Sequence, residues 1–324
     1  MTDPMERIVR ETHLGQQLEG ALLSFFESYR KIASLPKGIN NLFATYVRLV
    51  QNEIASQTSF SHFHKMERDP FDFYAFTLDM IRPLIDVKSS QVLGEENLQE
   101  IVETLSRKEN VILLANHQAE IDPQIISLLL SPKFPQLAES IIFVAGHRVT
   151  SDPLAIPFSR GTNLFPIYSK RYVENPPEQK GEKLRHNAKT LATLEELLDQ
   201  GGLCVYVAPS GGRDRYGTDG EVQIAPFDPS SVEMFYLLAR RAKAKTHLRL
   251  LALSTIKLLP PPQGINVELG EERLVSYGPA GLFFGPELPL ETIPKEQRQA
   301  KSDALTQEIV KMTRALAALQ STSV

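Results

Sequence analysis

The sequence has little of what marks secreted, nucleic-acid-binding or membrane-spanning proteins. Its 324 residues include a single cysteine, Cys204, so no disulfide can form within the chain, and we expect this cysteine to pack in the core. The formal net charge of −4 is too small to predict nucleic-acid binding across the surface. No apolar run approaches the roughly 18–20 residues that a membrane-spanning helix needs, and the polar start of the chain lacks an apolar signal region. We therefore expect a soluble cytoplasmic protein whose membrane contact is at most peripheral.

The composition is that of a globular protein. Hydrophobic residues make up 42% of the chain and charged residues 23%, which argues against disorder. The length is sufficient for two domains. A small all-helical domain is predicted for residues 1–75, because apolar residues recur every three or four positions over 8–29, 42–54 and 71–85. The second domain, residues 76–324, has a different pattern.

From residue 97 onward, helical patterns alternate with short apolar runs. This alternation predicts an α/β domain in which helices flank a sheet. The expected helices are 97–107, 121–131, 182–200, 229–244 and 295–320, and the expected strands are 110–115, 141–145, 163–168, 203–208 and 248–254. Two further runs, Ile265–Leu269 and Arg273–Tyr277, resemble a hairpin and indicate a mixed sheet.

A histidine and an aspartate follow the first strand predicted in this domain. His117 comes directly after the strand, and Asp122 begins the next predicted helix. The carboxyl end of a strand is where an open α/β sheet usually holds reacting groups. A carboxylate at this spacing can fix the tautomer of the imidazole and stabilise its charged form. The pair is a candidate general base with its orienting partner, although a histidine near a strand end is often only hydrogen-bonded in place.

The strand predicted at 203–208 leads into a glycine- and arginine-rich segment, Pro-Ser-Gly-Gly-Arg-Asp-Arg. Its two glycines permit a tight turn, and the planar forks of Arg213 and Arg215 suit phosphate oxygens. On these residues alone, a solvated surface turn is an equally good interpretation. Ser210 is not in the Gly-x-Ser-x-Gly context of a hydrolase nucleophile.

A third strand, 163–168, is followed by two adjacent cations, Lys170 and Arg171. If the three strands are neighbours, their ends converge on one pocket that holds a general base beside a phosphate site. Such a pocket implies a substrate with both a phosphate and a hydroxyl group to be deprotonated.

These segments resemble the glycerolipid acyltransferases, and most closely the soluble, plastid-type glycerol-3-phosphate 1-acyltransferases. The resemblance runs from about residue 70 to the C-terminus, and its blocks occur in the family's order. They are Asn-His-Gln-Ala-Glu-Ile-Asp-Pro (116–123), Ile-Tyr-Ser-Lys (167–170), Ala-Pro-Ser-Gly-Gly-Arg-Asp-Arg (208–215), Ala-Pro-Phe-Asp-Pro-Ser-Ser-Val (225–232) and Pro-Pro-Pro (260–262). The His-x₄-Asp spacing marks the whole superfamily, whereas the arginine block is much more specific to this branch. The N-terminal helical segment also resembles the small helical domain of the family.

The resemblance implies that His117 is the catalytic base and Asp122 its partner. It also implies a substrate-binding set that holds the phosphate of glycerol-3-phosphate, formed by Lys170, Arg171, Arg213 and Arg215. The family often has Lys-Lys-His after the serine, whereas this chain has Lys-Arg-Tyr, so Tyr172 can supply a hydrogen bond there but no charge. The proline that related enzymes carry in the next buried strand is replaced by Arg249-Leu250-Leu251.

The implied reaction moves a fatty acyl group from acyl carrier protein or coenzyme A to the sn-1 hydroxyl of glycerol-3-phosphate. It needs no metal, cofactor or covalent acyl-enzyme, and in a plant it would take place in the plastid stroma. An alternative is a lysophosphatidate acyltransferase, which the absence of a predicted membrane anchor and the arginine block disfavour. A phosphate-binding scaffold and a thioesterase are further alternatives.

A basic run of four residues lies at the end of the helix predicted at 229–244, formed by Arg240, Arg241, Lys243 and Lys245. These cations can complement the carboxyl end of the helix. A sharper hypothesis is that they dock an acidic acyl carrier protein. Two histidines near the N-terminal segment, His62 and His64, are expected to be solvated rather than to bind metal.

Overall fold

A computed structural model describes residues 4–32, 38–56, 58–262 and 271–321. The helices in these ranges are α1 (Pro4–Glu11), α2 (Gln16–Arg30), α3 (Ile39–Ser56), α4 (Phe73–Ile81), α5 (Glu95–Ser106), α6 (Asp122–Leu130), α7 (Pro135–Ser140), α8 (Ile156–Arg160), α9 (Lys170–Val173), α10 (Lys180–Gln200), α11 (Pro229–Arg241) and α12 (Arg298–Ser321). The strands are β1 (Gln91–Leu93), β2 (Asn110–Ala115), β3 (Ile142–Gly146), β4 (Asn163–Ile167), β5 (Cys204–Val207), β6 (Arg215–Tyr216), β7 (Val222–Gln223), β8 (Thr246–Ser254) and β9 (Gly281–Leu288).

The principal sheet is mixed, as the sequence predicts. Its seven strands lie in the order β1-β9-β8-β2-β5-β3-β4. Neighbouring strands pair in parallel except β8 and β9, which are antiparallel. All six residues of β2 are buried, and the five after Asn110 form a continuous apolar run, as is typical of a strand covered on both faces. The predicted fold class, an α/β protein with a mixed sheet flanked by helices and a helical N-terminal region, is confirmed.

Helices cover both faces of this sheet, because successive side chains of a strand point to opposite faces. Ile112 and Leu114 of β2 pack with apolar side chains of α10, α11 and α12. Val111, Leu113 and Ala115 pack with apolar side chains of α5, α6 and α7. The five strands predicted from apolar runs correspond to β2, β3, β4, β5 and β8.

The N-terminal helices pack around Phe43, which is fully buried. Its ring lies 4.8–6.3 Å, between centroids, from those of Phe25, Phe26, Tyr29 and Tyr46. The same apolar core continues into α4 and α6. Residue 76, the predicted domain boundary, lies within α4, and a separate domain at 1–75 stays a prediction.

The apolar spacing over 8–29 predicts one continuous amphipathic helix, and this prediction is wrong. The chain forms α1 and α2 instead, because the backbone turns between them with positive φ angles of 54° at His13 and 89° at Gly15. Apolar spacing continues across this turn because both helices bury their apolar faces in one core. The spacing therefore does not reveal the break.

The predicted hairpin before the last helix is also wrong in the part that the structure describes. Arg273–Tyr277 is not a strand, because its backbone donates to scattered partners: the Val275 N–H to Ser28 Oγ and the Ser276 N–H to the Leu258 carbonyl oxygen. The other run, Ile265–Leu269, lies outside the described residues. The antiparallel partner of β8 is β9.

The parallel strands bring the predicted site segments to one edge of the sheet. β2, β5, β3 and β4 run in the same direction and end there. His117 follows β2, the arginine-rich segment follows β5, and Lys170 follows β4. Among the helices in the described ranges, none combines the length and the apolarity that a membrane crossing requires.

Replacing Phe43 with alanine should lower the free energy of unfolding by about 3–5 kcal/mol, because it removes a fully buried ring from a well-packed cluster. Urea unfolding followed by circular dichroism measures this loss. Leu184→Ala, at a side chain that is 49% exposed, is the control and should change stability little. A Phe43→Ala protein as stable as the wild type would contradict the packing described here.

Candidate active site

The His117–Asp122 pair forms at the carboxyl end of β2. His117 Nδ1 lies 2.8 Å from Asp122 Oδ2. The Asp122 side chain is 1% exposed and the His117 ring is 31% exposed. Because the carboxylate engages Nδ1, Nε2 is the ring nitrogen that can act as a base towards a ligand in the cavity that His117 lines.

The Asp122 carboxylate is held by further donors besides the histidine. The Gln118 N–H donates to Oδ2 at 2.8 Å, and the Ala119 N–H donates to Oδ1 at 3.2 Å. The Thr255 hydroxyl, just after β8, donates to Oδ1 at 2.6 Å. Asp122 also opens α6, where the helix dipole favours a negative charge. The carboxylate that orients the histidine is therefore held by several donors. Of these, Thr255 was not predicted from the sequence as a site residue.

Asp214 links the histidine loop to the arginine-rich segment. The Asn116 and Gln118 side-chain amides donate to Asp214 Oδ2 at 2.8 and 3.1 Å, and the Ala225 N–H donates to Oδ1 at 2.8 Å. The Asp214 N–H donates in turn to the carbonyl oxygen of His117 at 2.7 Å. Burial raises the pKa of Asp214 to about 6, against the opposing effect of these donors. This carboxyl group was not among the predicted site residues.

The two predicted arginines line the same cavity as His117. Arg213 Nη2 donates to Glu271 Oε1 at 2.6 Å, and the Arg215 guanidinium donates to the carbonyl oxygen of Pro262. Both arginines are chain neighbours of Asp214, whose N–H donates to the His117 carbonyl oxygen, so the loop that carries them is tied to the histidine. Ser210, considered as a nucleophile, donates its hydroxyl to the carbonyl oxygen of Gly212 at 2.9 Å.

The three predicted residues after β4 have different surroundings. Tyr172 lines the cavity with His117. The Lys170 side chain is 73% exposed, and its Nζ lies 2.8 Å from Asp228 Oδ2. Lys170 is at the same edge of the sheet but is not part of the cavity wall. Arg171 lies in α9, and its side chain is outside the part of the chain that is described.

The cavity has a volume of about 420 Å³, within the range of small-molecule sites. Its polar wall holds His117 and the two arginines, and its apolar wall includes Phe143, Val144, Leu164, Ile167 and Phe158. One cavity therefore joins a base, cations and an apolar surface. Over the described ranges, the side chains form no cluster of three or more His, Cys, Asp or Glu residues arranged to hold a metal ion.

Four charged residues of the cavity wall were not predicted from the sequence: Glu120, Arg148, Glu271 and Arg273. Arg273 donates to Glu120 at 2.8 and 3.1 Å. Burial alone would raise the pKa of Glu120, but attraction to Arg273, Arg213 and Arg148 lowers it below its ordinary value. Glu120 lies within the His-x₄-Asp block, which is a signal that could have identified it; the other three lie outside every block.

The predicted docking run, 240–245, lies at the opposite edge of the sheet. It leads into the first residue of β8, which pairs with the first residue of the parallel strand β2. At about 3.3 Å per residue, the six residues of β2 separate this edge from His117 by about 20 Å. Lys243 also pairs with Asp199 at 2.6 Å. His64, expected to be solvated, is 11% exposed and packs against Phe60.

Residues 89–247 match the protein family described as Acyltransferase. The chloroplastic glycerol-3-phosphate acyltransferase ATS12 of Cucurbita moschata is 44% identical over 253 residues, which are 76% of this chain and 55% of the relative. The chloroplastic glycerol-3-phosphate acyltransferase of Arabidopsis thaliana is 37% identical over 278 residues, 84% of this chain and 60% of the relative. The chloroplastic glycerol-3-phosphate acyltransferase of Spinacia oleracea is 35% identical over 312 residues, which are 92% of this chain and 66% of the relative.

The chain thus spans 55% to 66% of the length of these three relatives. The matched family segment begins before β1 and ends in β8, so it includes the histidine loop and the arginine-rich segment.

The Asp214→Asn variant tests how much the buried charge of Asp214 lowers the free energy of unfolding. Burial raises the pKa of Asp214 from 3.8 to about 6. The carboxyl group of Asp214 therefore binds its proton more tightly in the folded state than in the unfolded state. The wild type should therefore lose stability relative to the variant as the pH rises from about 4 to about 6, by up to about 3 kcal/mol. Urea unfolding of both proteins at about pH 4.5 and about pH 7.5 measures the change. A stability difference that stays constant with pH would contradict the raised pKa.

Proposed function

We propose that the chain is an acyltransferase that transfers a fatty acyl group from an acyl thioester to the sn-1 hydroxyl of glycerol-3-phosphate. The observation that carries this proposal is the single cavity that joins the His117–Asp122 pair to Arg213 and Arg215. A base beside two cations suits an acceptor that has both a hydroxyl group and a phosphate. The names of the relatives support the same acceptor.

In this proposal His117 removes the proton from the sn-1 hydroxyl as its oxygen attacks the thioester carbon. Nε2 takes the proton because Nδ1 is engaged by Asp122, whose carboxylate stabilises the imidazolium. The tetrahedral intermediate then collapses, the carbon–sulfur bond breaks, and His117 returns the proton to the leaving thiolate. General-base catalysis of this kind contributes ~10²–10⁴-fold, and holding the two substrates together contributes the rest.

The phosphate of the acceptor is assigned to the two arginines of the loop after β5. Their planar guanidinium groups can each donate two parallel hydrogen bonds to phosphate oxygens. Lys170, Arg171 and Tyr172 complete the proposed substrate-binding set from the end of β4. Lys170 would take part only after its ammonium group leaves Asp228, which its 73% exposed side chain permits.

The apolar wall of the cavity is assigned to the acyl chain of the donor. Each methylene group buried there contributes about 0.8 kcal/mol to binding. We propose acyl carrier protein or coenzyme A as the carrier of that chain. A carrier protein bound at residues 240–245 would be about 20 Å from His117, at the wrong edge of the sheet. A carrier is therefore expected at the cavity side instead, in the plastid stroma if the chain comes from a plant and in the cytoplasm otherwise.

Replacing His117 with alanine removes the proposed base. We expect kcat to fall ~10²–10⁴-fold, while KM for glycerol-3-phosphate changes little because the phosphate-binding arginines remain. Release of free thiol from an acyl thioester, followed at saturating glycerol-3-phosphate, gives both constants. His13→Asn, at an exposed histidine between α1 and α2, is the matched control and should keep wild-type turnover. A folded His117→Ala protein with undiminished kcat would rule out the assigned role.

Arg213→Ala removes part of the phosphate site and should raise KM for glycerol-3-phosphate about tenfold to a hundredfold, because a charge-assisted hydrogen bond is lost. The KM for the acyl donor should change much less. Arg241→Ala, at the opposite edge of the sheet, is the matched control and should change neither constant. If Arg213→Ala raises the donor KM instead, the arginines serve the donor and not the acceptor.

A further inference from the structure

The arginine assigned to the acceptor phosphate already holds an internal anion. Arg213 Nη2 lies 2.6 Å from Glu271 Oε1, and Arg148 Nη2 lies 3.3 Å from Glu271 Oε2. The Glu271 side chain is 5% exposed, and all three residues line the cavity. A carboxylate therefore bridges two guanidinium groups at the place where a ligand phosphate is expected.

The backbone of Glu271 is fixed independently of its carboxylate. Arg273 Nη1 donates to the Glu271 carbonyl oxygen at 2.8 Å. The Arg273 guanidinium is itself paired with Glu120 at 2.8 Å and with Asp152 at 3.2 Å. Rotation of the Glu271 side chain can therefore vacate the two arginines while its main chain keeps this anchor.

We propose that Arg148 joins Arg213 and Arg215 in binding the acceptor phosphate, and that the phosphate binds by replacing the Glu271 carboxylate. This inference rests on the proposed function and adds Arg148 and Glu271 to the acceptor site. A carboxylate and a phosphate monoester both present oxygens that accept paired hydrogen bonds from guanidinium groups, so one can take the place of the other. A dianion is more strongly attracted to two arginines than the single charge of Glu271 is.

Occupation of the site by Glu271 lowers the apparent affinity for any anionic ligand. The apparent dissociation constant equals the intrinsic one divided by the fraction of molecules in which the site is vacant. Glu271 thus acts as an internal competitor, which keeps weakly bound anions out and also raises KM for the acceptor. Removing its charge should tighten binding, whereas removing a residue that merely holds the arginines in place should weaken it. The direction of the change distinguishes the two roles.

The test measures glycerol-3-phosphate and inorganic phosphate binding by titration calorimetry, together with KM. Glu271→Gln should lower the dissociation constant of both ligands about threefold to tenfold, with a matching fall in KM. Arg148→Gln should raise the dissociation constant about tenfold, because a charged donor to the phosphate is lost. Glu233→Gln, which removes another glutamate paired with an arginine, is the control and should leave both ligands unaffected.

Weaker ligand binding by Glu271→Gln would overturn the proposal, and so would unchanged binding by Arg148→Gln. The Arg148 variant decides the question on its own if Glu271→Gln does not fold. A wild type that neither binds glycerol-3-phosphate nor transfers an acyl group to it would overturn the proposed function itself. A wild type that does both, with variants that bind as it does, would overturn only the present inference.

Discussion

Hydrogen-bond donors from two separate segments converge on the buried carboxylate of Asp214, and the relative position of base and arginines depends on this convergence. Asn116 and Gln118, on either side of the histidine, both donate to it. Its own N–H donates to the carbonyl oxygen of His117. The residues before and after it are the two arginines proposed to hold phosphate. The Asp214 carboxyl group is not itself a proposed substrate contact. It nevertheless fixes the distance between the catalytic base, His117, and the arginines proposed to bind the phosphate.

Charged side chains of the cavity wall form shared ion pairs. Three arginines of its wall, Arg148, Arg213 and Arg273, face the carboxylates of Glu271 and Glu120. Buried charges need such partners, because an unpaired ion in a low-dielectric interior costs several kcal/mol. In the proposed mode of binding, an incoming phosphate exchanges with a carboxylate rather than entering an unpaired cationic pocket. This arrangement ties acceptor affinity to the internal ion pairs as well as to the arginines themselves.

The sequence predicts those elements and site residues that neighbouring residues along the chain specify. β2 is predicted as a strand because the five residues after Asn110 are all apolar. The His117–Asp122 pair is predicted from its position between that strand and α6. β9 was not predicted as a strand, because its sequence contains two glycines and a proline, which are unfavourable in strands. Thr255 and Glu271 were not predicted as site residues, because their partners Asp122 and Arg213 are 133 and 58 residues away along the chain. Only folding brings these residues together.

The central claim is that the base and the phosphate site act on one acceptor. The most direct measurement follows thiol release from an acyl thioester by the wild-type protein with and without glycerol-3-phosphate, and identifies the acylated product. We expect thiol release that depends on glycerol-3-phosphate and that yields 1-acyl-glycerol-3-phosphate in equal amount. Release that proceeds at the same rate without an acceptor would identify a thioesterase, and transfer only to 1-acyl-glycerol-3-phosphate would identify a different acyltransferase. Either result would contradict the account.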